Sequence, residues 1–153
     1  MLIETRRFDS VTYRKSDIIW MMRDLPGFEG LKRFLLVSPG ESEPFKWLQS
    51  LDDPAMALPV IEASVVKDDY EFEVSAKDLQ LLGARHVTDI VAYASVTIPR
   101  SRPERVSANL KAPIALNTKN MHALQLLLSE SGHVPTFPFY KQLEKKLIQS
   151  ESQ

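Results

Sequence analysis

Ile90-Val-Ala-Tyr-Ala-Ser-Val-Thr-Ile98 decides the fold class. In an extended chain successive side chains point to opposite faces, so Ile90, Ala92, Ala94, Val96 and Ile98 share one apolar face. The runs on either side read the same way. Downstream of a basic loop from Pro99 to Pro103, the residues Val106, Ala108, Leu110, Ala112, Ile114 and Leu116 line one face of a long expected strand. Ser107, Asn109, Lys111 and Asn117 line its polar face. Upstream, Tyr70, Phe72 and Val74 alternate with Glu71 and Glu73, which predicts a strand buried on one side and solvated on the other. Ser75 to Gly83 is the exception: Ser75 is a credible N-cap, Asp78 follows three residues on, and Gly83 ends a short helix.

The first half is also strand-like. Ile3 to Phe8 and Val11 to Tyr13 flank Asp9-Ser10 and predict a hairpin turning there. Ile18 to Met22 is a short apolar run, and Leu25-Pro26-Gly27-Phe28 carries turn chemistry. Leu31 to Val37 suits a strand covered on both faces, and Phe45 to Leu51 follows it, ended by Asp52-Asp53-Pro54. Ala57 to Val66 contains Pro59, which cannot donate to a ladder and points to an edge or a bulge. Met121 to Leu128 fits either a helix or a strand. Tyr140, Leu143, Leu147 and Ile148 recur at helical spacing in a tail rich in Lys and Glu. The expectation is an all-β, antiparallel, barrel-like domain over residues 1–139, with one short helix and a helical extension over 140–153.

Composition narrows the function. The 153 residues match one ordinary domain, large enough to bury a real core. There is no cysteine, hence no disulfide framework and no thiolate zinc site. The first ten residues lack the apolar centre of a signal peptide, and no apolar run reaches membrane-spanning length, so a cytoplasmic protein is expected. A net charge of -1 gives no global field toward nucleic acid.

Chemistry is sparse. His86, His122 and His133 are scattered, and none has a metal-ligand partner at helical spacing. Asp52-Asp53 and Asp68-Asp69 are not expected to serve one acid/base site, because adjacent strand residues point to opposite faces; they read as turns in which Asp caps its own backbone, as before Pro54. No glycine-rich phosphate loop is present. Neither catalytic residues, cofactors nor metals are expected. A small hydrolase would need His122 and a carboxylate converging in a deep polar pocket. Arg100, Arg102 and Arg105 form the best basic patch, without interleaved aromatics; a small β-barrel RNA-binding module using them is the alternative function. Trp47 is expected to pack in the core more often than to anchor a partner. The break at Pro113 marks an edge or kink, where a foreign peptide could add as a strand.

Several segments together are similar to one family. They are Ile3 to Phe8 (IETRRF), Asp17-Ile18-Ile19, Leu25 to Leu36 (LPGFEGLKRFLL), Trp47 to Pro54 (WLQSLDDP), Asp69 to Val74 (DYEFEV), Val96 to Pro99 (VTIP) and Ala108 to Thr118 (ANLKAPIALNT). In order and spacing the chain resembles the flagellar assembly factor FliW family from about Ile3 to about Pro138. The resemblance implies a mostly antiparallel β-barrel-like domain without enzymatic activity. It implies two protein partners: flagellin, held before export, and the translational regulator CsrA, whose repression of flagellin mRNA is relieved. Direct nucleic-acid or membrane binding is not implied. Relatives are often clearly acidic, whereas this chain is near neutral and carries Trp20-Met21-Met22-Arg23-Asp24 before its LPGF turn. The matching motifs and their polar positions mark Asp52, Asp53, Asp69, Glu71, Asn109 and Lys111 as the expected contact surface.

Overall fold

The computed structural model describes residues 1–40 and 44–144. Eleven strands and two α-helices follow one another as β1 (Leu2–Thr5), β2 (Asp9–Thr12), β3 (Ile19–Met21), β4 (Arg33–Val37), β5 (Lys46–Ser50), β6 (Ala57–Glu62), α1 (Ala63–Val66), α2 (Ala76–Leu82), β7 (Ile90–Thr97), β8 (Ser107–Ala108), β9 (Ile114–Asn117), β10 (His122–Gln125) and β11 (Phe137–Pro138). Strands β7, β6, β5, β4, β3, β10 and β9 are neighbours in that order, and β9 pairs back to β7, so the sheet closes into a seven-stranded barrel. Every pairing is antiparallel except β3 with β10, which is parallel. The expected mainly-β, antiparallel barrel is what forms.

Small barrels fill their interior with side chains. Here Ile19, Phe34, Leu48, Val60, Ile114, Leu116 and Ala123 do so, joined by Tyr93. The apolar face that the sequence shows most cleanly lies on the other side of β7. Ala92, Ala94 and Val96 pack outward with Ile61, Val66, Leu110 and Phe139. Ile90 packs with Leu82, Leu124 and Leu126 beneath α2. Strand β7 is therefore covered on both faces.

The long strand expected from Val106 to Leu116 is two strands. Both pair with the same side of β7: Val96 faces Ala108, and Tyr93 faces Ile114. Three steps along β7 thus correspond to six along its partner, and the surplus forms a bulge at residues 109–113. Asn109 Oδ1 accepts from the Lys111 and Ala112 amides at 3.1 and 3.0 Å, and Pro113 has no amide to offer. The free carbonyls of Leu110, Lys111, Ala112 and Pro113 then accept from Tyr70, Leu128, Gln125 and Leu126.

Other expectations shift locally. The N-terminal hairpin turns at residues 6–8, not at Asp9-Ser10; the Phe8 amide donates to Thr5 Oγ1, and Asp9 opens β2 at φ 55°, a conformation Asp tolerates. Ala57 to Val66 divides into β6 and the helical turn α1. Pro59 pairs with Trp47 on one side and lies just outside the β6–β7 register, which begins at Val60. Met121 to Leu128 resolves as strand β10. Asn117, expected on a solvated face, is 2% exposed and donates with Asn120 to the Leu82 carbonyl at the end of α2. Ser75 caps α2, and Gly83 closes it at φ 64°, where a Cβ would meet Asn120 Nδ2 at 2.7 Å. Of the expected C-terminal helix, residues 140–144 are helical and Leu143 packs on the outer core; 145–153 lie outside the described residues.

The bulge gives a direct test. Asn109→Ala removes the acceptor that holds two amides and should cost about 1–2 kcal/mol in urea denaturation. Asn109→Asp keeps the acceptor and should recover most of that loss.

Candidate partner-binding groove

Residues 70–75 run extended without pairing in any sheet. The expected strand is thus an extended segment, but its alternation holds: Tyr70, Phe72 and Val74 turn inward and half-bury, while Glu71 and Glu73 are exposed. What anchors it is the bulge. Tyr70 Oη donates to the Leu110 carbonyl at 2.8 Å, and burial pushes the phenol up to about 12. Phe72 and Val74 pack with Leu124, Leu126 and Leu128. The His133 ring lies 4.5 Å from that of Tyr70, and its Nε2–H donates to the Glu71 carbonyl at 2.6 Å.

A groove of about 1060 Å³ lies against this segment, walled on its other side by residues 126–131 and 133. Its rim is one-signed. Asp69, Glu71, Glu73 and Glu130 line it, and no described residue forms an ion pair with any of them. Asp78 also lines it but is paired with Arg23 at 3.2 Å. Lys67 is the one lysine or arginine among the lining residues. Leu127 stands 75% exposed at the wall, the most exposed large hydrophobic side chain among the described residues. An apolar floor with an acidic rim suits a cationic, partly apolar protein segment better than a nucleic acid, whose phosphates it would repel.

The structure divides the six expected contact residues. Asp69 and Glu71 line the groove. Asn109 and Lys111 do not: they belong to the bulge behind its wall, where Lys111 O accepts from the Leu128 amide. Asp52 and Asp53 also lie elsewhere, at the β5–β6 turn. Asp53 Oδ1 accepts from the Ala55 amide, the turn role expected of it. Asp52 reaches across to β4, accepting from the amides of Lys32 and Arg33 and from Arg33 Nε at 2.8 to 2.9 Å. Burial would raise its pKa; those amides and the Arg33 guanidinium outweigh it and hold the carboxyl below its usual range. Sequence reasoning missed Glu73, Glu130, Leu127 and His133. Glu73 was findable, since it shares the polar face of Glu71. The others depend on a chain reversal that no local pattern marks.

Trp47 is half-buried rather than central. Phe8 meets it edge-on at 6.0 Å between centroids, and the Arg7 guanidinium sits 3.9 Å from its ring. Arg100, Arg102 and Arg105 are all exposed in the loop between β7 and β8. No helix among the described residues is long and apolar enough to cross a membrane.

The match to a family model described as "FliW protein" runs over residues 2–138, nearly the whole of the barrel and its groove. The chain belongs to the FliW family. It is 35% identical over 145 residues to the flagellar assembly factor FliW of Caldanaerobacter subterraneus subsp. tengcongensis, covering 94% of this chain and 96% of that one. A FliW protein of the same description from Thermoanaerobacter pseudethanolicus matches at 35% over the same length. Among solved structures, one described as the crystal structure of the flagellar assembly factor FliW superposes with a TM-score of 0.82 at 26% identity, covering 91% of this chain and 96% of that one. The FliW resemblance read from the motifs and the barrel built from the strands therefore agree.

The depressed pKa of Asp52 fixes a sign. Its folded value lies below its unfolded one, near 3.9, so its contribution is complete above that value and is lost as pH falls through the folded value. Asp52→Asn should lower stability at pH 7 by about 1 kcal/mol, kept small by solvent screening. The gap to the parent chain should narrow as pH falls below about 3.9 and close only once pH has passed below the folded value, where both side chains are neutral.

Proposed function

We propose that this chain is a non-enzymatic, cytoplasmic flagellar assembly factor that holds flagellin before export and binds the translational regulator CsrA, relieving repression of flagellin synthesis. Membership of the FliW family carries this reading, since its curated relatives bear the name flagellar assembly factor. The groove supports it: a rim of unpaired carboxylates gives a basic RNA-binding regulator a complementary surface. The two partners are coupled. Binding of one limits access of the other, so free flagellin displaces CsrA from the chain and synthesis slows when export lags.

A net charge of -1 does not oppose this. Encounter and register depend on the local field, and the acidic groups are gathered along one groove. Asp69 and Glu71 contribute most directly, being exposed on its rim.

Calorimetry with flagellin and CsrA from the same organism, separately and in competition, tests this reading. Binding to both at micromolar or tighter affinity, with flagellin displacing CsrA, is expected. Asp69→Lys with Glu71→Lys should weaken CsrA binding about tenfold or more and flatten its salt dependence, because two attractive charges become repulsive. Unchanged affinity would remove both residues from the contact surface, and no binding to either protein would end the proposal.

A further inference from the structure

The backbone beside the groove is as unusual as its charge. In residues 71–74 no amide donates to any described residue, although the chain is extended there. On the opposite wall the amides of Leu126 and Leu128 donate to Pro113 and Lys111, which turns the amide of Leu127 between them the other way. Leu127 donates to no described residue either. The groove is thus bordered by two stretches of extended chain with free hydrogen-bonding groups. Proteins normally guard such edges with lysine, proline or a covering element. Residues 71–74 are Glu-Phe-Glu-Val: they hold no lysine or proline, and their two charges are both acidic, which guards against an acidic strand but not a cationic one.

We infer that the groove takes an extended segment of a partner protein by strand addition, with alternating cationic and apolar side chains. The incoming backbone would pair with residues 71–74, and its wall-facing groups with Leu127. Its apolar side chains would lie toward Phe72, Val74 and Leu127, and its cations toward Glu71, Glu73 and Glu130. Alternation on the guest follows from alternation on the host, since paired strands keep the same period of two. Charge selects the partner: four unpaired carboxylates against one lysine on the rim favour a cationic strand and reject an acidic one. The volume of about 1060 Å³ sits at the upper end of small-molecule sites, as a peptide requires.

This inference rests on the reading that the chain is a binding protein, but its test needs neither natural partner. The full chain is titrated with a fluorescent, end-capped eight-residue peptide of alternating Lys and Val, followed by anisotropy. The expected result is saturable one-to-one binding that weakens about tenfold or more in the Glu71→Lys, Glu73→Lys double variant. Both residues are exposed, so the fold should survive, and circular dichroism checks it. A peptide N-methylated at alternate residues keeps its charge and loses half of its amide donors; it should also bind about tenfold more weakly or worse. Absence of saturable binding overturns the inference, as does binding unaffected by N-methylation, which would be charge attraction alone. Binding seen only after truncation behind Glu144 would assign the groove to the chain's own tail. A concentration-dependent dimer abolished by the double variant would assign it to a second copy. Either outcome excludes a partner strand. Flagellin and CsrA binding measured in parallel separates failure of this groove from failure of the wider function.

Discussion

One register break shapes everything that touches the groove. Strand β7 needs a neighbour on each side to close the barrel, and on one side that neighbour changes from β9 to β8 with three residues to spare. A straight strand from Val106 to Asn117 would have kept alternate carbonyls of this stretch in the β7 ladder. The bulge held by Asn109 exposes four, and they receive Tyr70, Leu128, Gln125 and Leu126. Those bonds fix both walls of the groove. The groove is therefore a consequence of how the barrel closes.

Charge is organised on the same principle. The chain totals -1, so composition alone points to no partner. Folding separates the groups. Asp52 is spent on the β4 backbone, Asp24 on Lys32, Asp89 on Lys119 and Asp78 on Arg23. Asp69, Glu71, Glu73 and Glu130 stay unpaired and lie together. A partner meets that residue of uncompensated charge, not the average over the surface.

The sequence was most legible where one local rule sufficed. Alternation marked β7, Ser75 and Gly83 bounded α2, and Leu25 to Phe28 turned as their residue types require, with Gly27 at φ 84° and the Phe28 amide on the Leu25 carbonyl. The clean apolar face of β7 nevertheless packs outside the barrel, because a strand between two cores has no single inside, and period two cannot tell which face meets the lumen. The strand read through Asn109 to Leu116 failed for a related reason. Its apolar positions kept their period, but Asn109 and Pro113 supplied turn chemistry that outweighed it. Of the groove's rim, Asp69 and Glu71 were visible because their segment alternates. Glu130 and His133 were not, since their approach depends on bonds from Leu126 and Leu128 back to the bulge.

Hydrogen exchange of the full chain with and without CsrA from the same organism tests the central claim most directly, because the groove is bordered by free amides. Extended residues without hydrogen bonds exchange fast in the free protein. The account predicts that bound CsrA slows exchange at residues 71–74 and around Leu127, leaving the β4–β5 hairpin and the Arg100 to Arg105 loop unchanged. Protection confined to that hairpin or that loop, with residues 71–74 still exchanging freely, would contradict it.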